Sequence, residues 1–154
     1  VPAPRITFES FTPGEVAEYG DMVVDRDDMI AFARAYDPQP MHLSEEAAAA
    51  SMLGELIASG WYTVALLMRM NCDHMLLDAA SLGAPGVDSV EWLAPVRAGD
   101  RLRVRRKTLS TRPSRSRPEM GLVAFSFEVL NQDDVVVMRQ VNPVMLGRRA
   151  AEPA

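Results

Sequence analysis

Hydrophobic positions change period halfway along the chain. Met29, Ile30, Phe32 and Ala33 recur at helical spacing. Asp25 or Asp27 stands before them as an N-cap, so residues 27–36 predict a short amphipathic helix. A short strand, Gly20 to Val24, is expected ahead of it. Ser44 suits a second N-cap. Glu45 and Glu46 then place negative charge at the positive end of a helix running through Ala50 towards Gly54. From Trp61 to Leu77 the pattern is different. Trp61, Val64, Ala65, Met68, Cys72, Met75 and Leu76 follow a 3.6-residue period, and Leu66, Leu67 and Met70 make the other faces apolar as well. A helix apolar nearly all round belongs inside a domain. This one predicts a buried central helix about 25 Å long.

The second half alternates. Val123, Phe125, Phe127 and Val129 interleave with Ala124, Ser126 and Glu128, the period of a half-buried strand. Strands are expected at Val90–Val96, Arg101–Leu109, Leu122–Leu130 and Val135–Met145. Ala98-Gly99-Asp100 and Asn131 to Asp134 separate them as turns. Strands joined by short turns pair antiparallel. The expected fold class is therefore α+β, a curved antiparallel sheet wrapped around one long helix.

Length and composition narrow the class. The 154 residues suit one domain with a real core, expected over 6–147, with flexible ends at 1–5 and 148–154. Hydrophobic residues at 48% and charged residues at 24% exclude whole-chain disorder. A net charge of −5 disfavours a dedicated nucleic-acid binder, because phosphate neutralisation drives most of that affinity. The single Cys72 excludes a disulfide framework and a multi-cysteine zinc module. Only His42 and His74 add nitrogen ligands, so no metal is expected. Cys72 reads as a small buried core residue. No apolar run reaches the ~20 residues of a membrane span. The first residues, Val-Pro-Ala-Pro, lack the apolar core of a secretory signal, and a cytoplasmic location is the expectation.

Four features could carry chemistry. Asp37-Pro38-Gln39-Pro40-Met41-His42 is stiffened by two prolines, so an extended loop is expected. Asp37 and His42 can converge there on one water as an acid/base pair; equally, Asp37 could end a helix and His42 could be an ordinary loop histidine. Ser59-Gly60 opens the apolar helix, where unpaired amides and a positive dipole can hold an oxyanion. Ser59 could instead act as the helix N-cap or shape an acyl pocket. Trp61, Tyr62 and Met68 could line an acyl tunnel or belong to the core. Finally, nine basic residues crowd 97–117 against the single acidic Asp100. Arg101, Arg103 and Arg105 alternate with Leu102 and Val104 as a solvated strand face, while Arg115 and Arg117 sit in a loop. Those two could contact coenzyme A phosphates or simply face solvent.

"DPQPMH", then "IASGW" and a long apolar helix, resembles the MaoC-like dehydratases, the R-specific enoyl-CoA hydratases. Their motif runs Asp-x-Asn-Pro-x-His. Asp37, Pro40 and His42 match it, and Gln39 replaces the usual Asn. Tyr36 stands where Gly or Ser often precedes the Asp. "WLAPVRAGD", Trp92 to Asp100, looks like the family's strand-turn-strand segment after the helix. The resemblance implies a hot-dog fold, usually dimeric, with a homodimer or higher homo-oligomer expected. It also implies reversible hydration of a trans-2-enoyl thioester to the (R)-3-hydroxyacyl thioester. Asp37 and His42 would hold the water, and the Gly60 amide the thioester oxygen. Ser59, Trp61, Arg115 and Arg117 are the candidate substrate-binding residues. Coenzyme A enters as part of the acyl-CoA substrate, with no separate cofactor. A hot-dog thioesterase and a non-catalytic acyl-thioester binding subunit are the competing expectations.

Overall fold

Five antiparallel strands, in the order β1-β3-β4-β5-β2, curve around one helix in the hot-dog arrangement. The computed structural model describes residues 1–150. The strands are β1 (Val16–Val23), β2 (Ser89–Trp92), β3 (Arg101–Pro113), β4 (Met120–Leu130) and β5 (Val136–Gly147). The helices are α1 (Arg26–Tyr36), α2 (Glu45–Ala49) and α3 (Gly60–His74).

The alternation expected in the second half is realised on β4. Val123, Phe125, Phe127 and Val129 turn inward and are buried, while Ala124, Ser126 and Glu128 are half-buried on the other face. Leu67 and Met70 of α3 meet that inner face and are almost fully buried. Each such side chain contributes roughly 1.5–3 kcal/mol by leaving water. At Gly20 the β1 strand shifts register against β3, with φ at +85°. A Cβ there would lie 2.5 Å from the Met70 sulfur, so a glycine lets the strand pass over the helix.

Several expected boundaries move. The first strand begins at Val16, four residues early, because pairing with β3 continues across the bulge. Residues 37–42 are not extended throughout. Pro40 to His42 form a single 3₁₀ turn, in which proline takes a position that needs no donor and His42 N–H bonds Gln39 O at 2.9 Å. The central helix ends at His74, short of Leu77, as Met75 turns its side chain into the core. It is also not enclosed on every side. Trp61 is 57% and Met68 51% exposed, so the helix has a face that the sheet does not reach. Cys72 lies half-buried, near that open side and not in the core. The β2 strand stops at Trp92, and Pro95 and Val96 cross towards the start of α3.

The chain ends carry contacts where looseness was expected. Arg5 pairs with Asp78, and Arg148 and the Arg149 amide both bond Glu9, at 3.2 and 2.9 Å. Residues 151–154 of the expected flexible tail lie outside the described residues. The basic block is largely neutralised in place. Arg101 pairs with Asp21, Arg103 with Asp134, Arg105 with Glu128 and Arg117 with Glu119. Among the described residues, no helix is long and apolar enough to cross a membrane.

Candidate active site

Three segments meet at the N-terminal end of α3. Asp25 caps α1 by accepting from the Asp28 amide at 2.9 Å, and Asp37 closes the same helix at its other end. The Pro40–His42 turn then brings His42 back beside Asp37. The third segment is the start of α3 itself, tied down by Ala58 N–H to Val96 O at 2.8 Å. Asp100, which is buried, holds the turn below Val96 by accepting from the Arg97 amide and from Gln132.

His42 Nε2 lies 3.4 Å from Asp37 Oδ2. Its other ring nitrogen, Nδ1, is 2.8 Å from Ile57 O. A backbone carbonyl only accepts, so Nδ1 must carry the proton and donate. In the neutral ring, Nε2 therefore presents a lone pair towards the carboxylate. Two acceptors facing each other call for a shared proton donor, a role that suits a water. Asp37 also accepts from Ser59 Oγ at 2.7 Å and from Gln39 Nε2 at 2.7 Å. These two hydrogen bonds, Ser59 first, hold its carboxyl below the usual carboxylate range, with a smaller contribution from His42. Asp37 is thus anionic at neutral pH.

Ser59 does two jobs with one fully buried hydroxyl. It donates to Asp37 and accepts from the Trp61 amide at 3.3 Å, so it caps the helix and steadies the carboxylate together. Among the described residues, nothing accepts from the Gly60 amide, the first of the helix. Gly60 borders a cleft of about 450 Å³ lined also by Asp37, Gln39, His42 and Trp61. The cleft's far wall comes from Trp92 and the Leu93–Val96 crossing. A Cβ on Gly60 would lie 2.5 Å from the Trp92 ring, so any side chain here would have to displace that ring. Trp61 packs edge-on against the same ring, with centroids 5.1 Å apart.

Asp37, His42, Ser59, Gly60 and Trp61 therefore come together. Arg115 and Arg117 do not. They lie beyond Pro113, at the tip where β3 turns into β4, at the opposite end of β3 from Arg101 and the cleft. The expected phosphate contact has no support from that placement, and Arg117 is engaged by Glu119 at 2.9 Å. Two participants escaped the sequence reading. Gln39 counted only as a departure from a motif, although an amide donor two residues from Asp37 was a usable sign. Trp92 gave no local sign, since its partner is 32 residues away. Among the described residues, no group of three or more His, Cys, Asp or Glu could hold a metal ion.

Comparison with known proteins gives the chain a family and a fold. The MaoC like domain family model matches residues 8–124, which include every residue of the cleft named above. The chain is 35% identical to the MaoC-like dehydratase from Rhodospirillum rubrum, with a TM-score of 0.84 over 95% of this chain and 99% of that one. The unliganded R-hydratase PhaJ1 from Pseudomonas aeruginosa shares the fold, with a TM-score of 0.76 at 24% identity, over 99% of this chain and 96% of that one. The uncharacterized protein YdeM of Bacillus subtilis is 27% identical over 140 residues, 91% of this chain and 98% of that protein. With the Asp-Pro-His turn and the glycine-led helix both inside the matched segment, the chain belongs to the MaoC-like domain family.

Proposed function

We propose that the protein reversibly hydrates a trans-2-enoyl thioester to the (R)-3-hydroxyacyl thioester. The observation that carries this is the convergence of the Asp37–His42 pair and the unpartnered Gly60 amide on one cleft. A water between Asp37 Oδ2 and His42 Nε2 donates one proton to each. Its oxygen is thereby aimed at the substrate. As that oxygen bonds to Cβ, the π electrons move towards the thioester and charge gathers on its oxygen. The Gly60 N–H stabilises that charge, a role worth about 3 kcal/mol when a single such donor is lost elsewhere. His42 takes the water's proton at Nε2. Asp37, kept anionic by Ser59 and Gln39, stabilises the imidazolium, and the pair returns a proton to Cα. The sum is addition of water across the double bond, with nothing oxidised or reduced. Coenzyme A is part of the substrate, and the residues need no resident cofactor for these steps.

A homodimer belongs to the same proposal. Trp61, Met68 and Trp92 leave an apolar strip exposed along α3 and the edge strand β2, which a second copy would cover. The test is loss of enoyl absorbance from crotonyl-CoA, with product chirality assigned and Asp37→Asn alongside. Hydration to the (R)-alcohol that vanishes in the variant supports the proposal. Free thiol release without hydration overturns it in favour of a thioesterase.

A further inference from the structure

The cleft has a mouth and a floor, and burial tells them apart. Trp61, Trp92 and Leu93 at one end are 57%, 46% and 47% exposed. Ala58, Thr63, Val96 and Val137 at the other are buried, none above 6%. Along α3 the lining stops at Thr63, three residues or ~4.5 Å of helix past Gly60. Helical side chains tilt towards the N-terminus, which brings the Thr63 side chain closer still to Gly60. On β5 only Val137 takes part.

Packed core backs this floor. Ala58, Val96 and Val137 belong to one hydrophobic cluster with Leu66, Leu67 and Met138, all buried. In an interior of that density a chain cannot thread between side chains without displacing them. A small cavity of about 80 Å³ lies farther along α3, bordered by Met68, Asn71, Gln140 and Asn142, but it shares no lining residue with the cleft. Its amide side chains are engaged in hydrogen bonds of their own. Asn142 Nδ2 donates to Pro143 O at 3.0 Å, Asn142 Oδ1 accepts from Gln140 Nε2 at 2.9 Å, and Asn71 Oδ1 accepts from the Tyr19 hydroxyl at 2.7 Å. The cleft is a dead end and not the start of a tunnel.

Thr63 adds an independent restriction. Among the described residues its hydroxyl has no hydrogen-bond partner, yet its oxygen is not one of the unpartnered ones sealed from water. Thr63 borders the cleft, so the cleft is where water meets it. A hydrocarbon chain pressed onto the floor would strip that water and leave the hydroxyl unpaired, a loss that nothing offsets. A short acyl group leaves the water in place.

We propose that Thr63 limits acyl length, so that the substrate class is short-chain enoyl thioesters, crotonyl to hexenoyl in size, and longer hydrocarbon chains are refused. This rests on the hydration reading above and names its substrate. Gly60 places the thioester, and Asp37 with His42 the reacting carbon, at the same turn of helix that ends the cleft. Whatever lies beyond Cβ has less than one helical turn, ~5.4 Å, of depth along α3. A second copy over the exposed strip would add wall at the mouth and leave the floor closed.

The experiment measures kcat/KM for crotonyl-, hex-2-enoyl- and oct-2-enoyl-CoA, and Kd for the saturated butyryl- and octanoyl-CoA by calorimetry. A pocket that admits the whole chain gains about fourfold per buried methylene, so a tunnel would give a steep rise from crotonyl to octenoyl. The expected result is the reverse, with octenoyl-CoA about tenfold or more below crotonyl-CoA. Octenoyl-CoA equal to or better than crotonyl-CoA overturns the proposal. Thr63→Val keeps the branched shape and removes the hydroxyl, so the ratio of hexenoyl to crotonyl turnover should rise about three- to tenfold. An unchanged ratio overturns the role of Thr63. If that variant does not fold, Val137→Ala lowers the floor from the strand side, and the same ratio should rise there too. Failure to hydrate crotonyl-CoA would defeat the hydration reading, and binding then decides the floor by itself. Butyryl-CoA bound at least as tightly as octanoyl-CoA supports the floor. Tighter binding of octanoyl-CoA, or binding of neither, overturns it.

Discussion

At the N-terminal end of α3, Asp37 uses both oxygens, one on Gln39 and one on Ser59, and His42 is tethered to Ile57 O. At the far end, a similar density of buried polar groups leaves the Gln140 carbonyl without a partner. Both ends are polar islands in an apolar interior, but they are finished differently. Groups that must hold a reacting water within tenths of an ångström benefit from saturation, since each bond removes a degree of freedom. The contrast separates a polar cluster whose members hold one another in place from one whose chain of bonds ends unpaired in the packed interior.

The strongest way to break that contrast is at the saturated end. Asp37→Asn and His42→Ala should each lower kcat by about 10²–10⁴-fold. Thermal melting should change little beside that loss, because neither side chain fills the apolar core. Near-native turnover in either variant would end the proposed mechanism.

Gly60→Ala should come next. Its Cβ would strike the Trp92 ring, 2.5 Å away, so both activity and melting temperature should fall. Trp92→Ala in the same chain should restore melting temperature, and a double-mutant cycle in thermal denaturation reads the coupling. Additive losses would show that Trp92 is not the obstacle.

Ser59→Ala sharpens the comparison by partly unsaturating the Asp37 end. Loss of the cap should cost about 1 kcal/mol in denaturant unfolding. The effect on Asp37 has a definite sign. The Ser59 hydrogen bond lowers the folded-state pKa of Asp37, so its stabilisation is complete above the unfolded value near ~3.9 and is lost as pH falls through the folded value. Without Ser59 the folded pKa rises. The acid limb of the rate profile should then move to higher pH, and the acid-dependent part of stability should shrink. An unmoved limb would show that Ser59 serves only as a cap.

The smallest effect is expected at the β3–β4 tip. Arg115→Ala with Arg117→Ala should leave KM for crotonyl-CoA unchanged within about twofold, as for surface charges with little energetic weight. A large rise in KM would return these arginines to the site by way of a partner copy.

Much of the Asp37 end was legible in the chain because its devices are local. Two prolines around Gln39 restrict five residues, so Asp37 and His42 could be expected together before any fold was known. Ser59-Gly60 ahead of an apolar run marks a helix start by chemistry alone. The other end was not legible. Gln140 and Asn142 sit in a stretch that reads as an alternating strand, and nothing in a strand pattern says whether a polar inward residue will find a partner. That depends on Pro143 O, on Asn71 and on Tyr19, which lies 52 residues from Asn71.

By itself, then, the sequence determined the period of each segment, the caps and, through these, the α+β class, while the convergence of Asp37 with His42 stood as one of two open readings. Such features are set by neighbours within a few residues, where sterics and hydrogen bonding leave few choices. Only the tertiary structure decided the open face of α3, the Trp92 ring against Gly60, the exclusion of Arg115 and Arg117 from the cleft and the unpaired Gln140 carbonyl. Each of these depends on which distant surfaces close-packing brings into contact, and a one-dimensional pattern does not encode that distance.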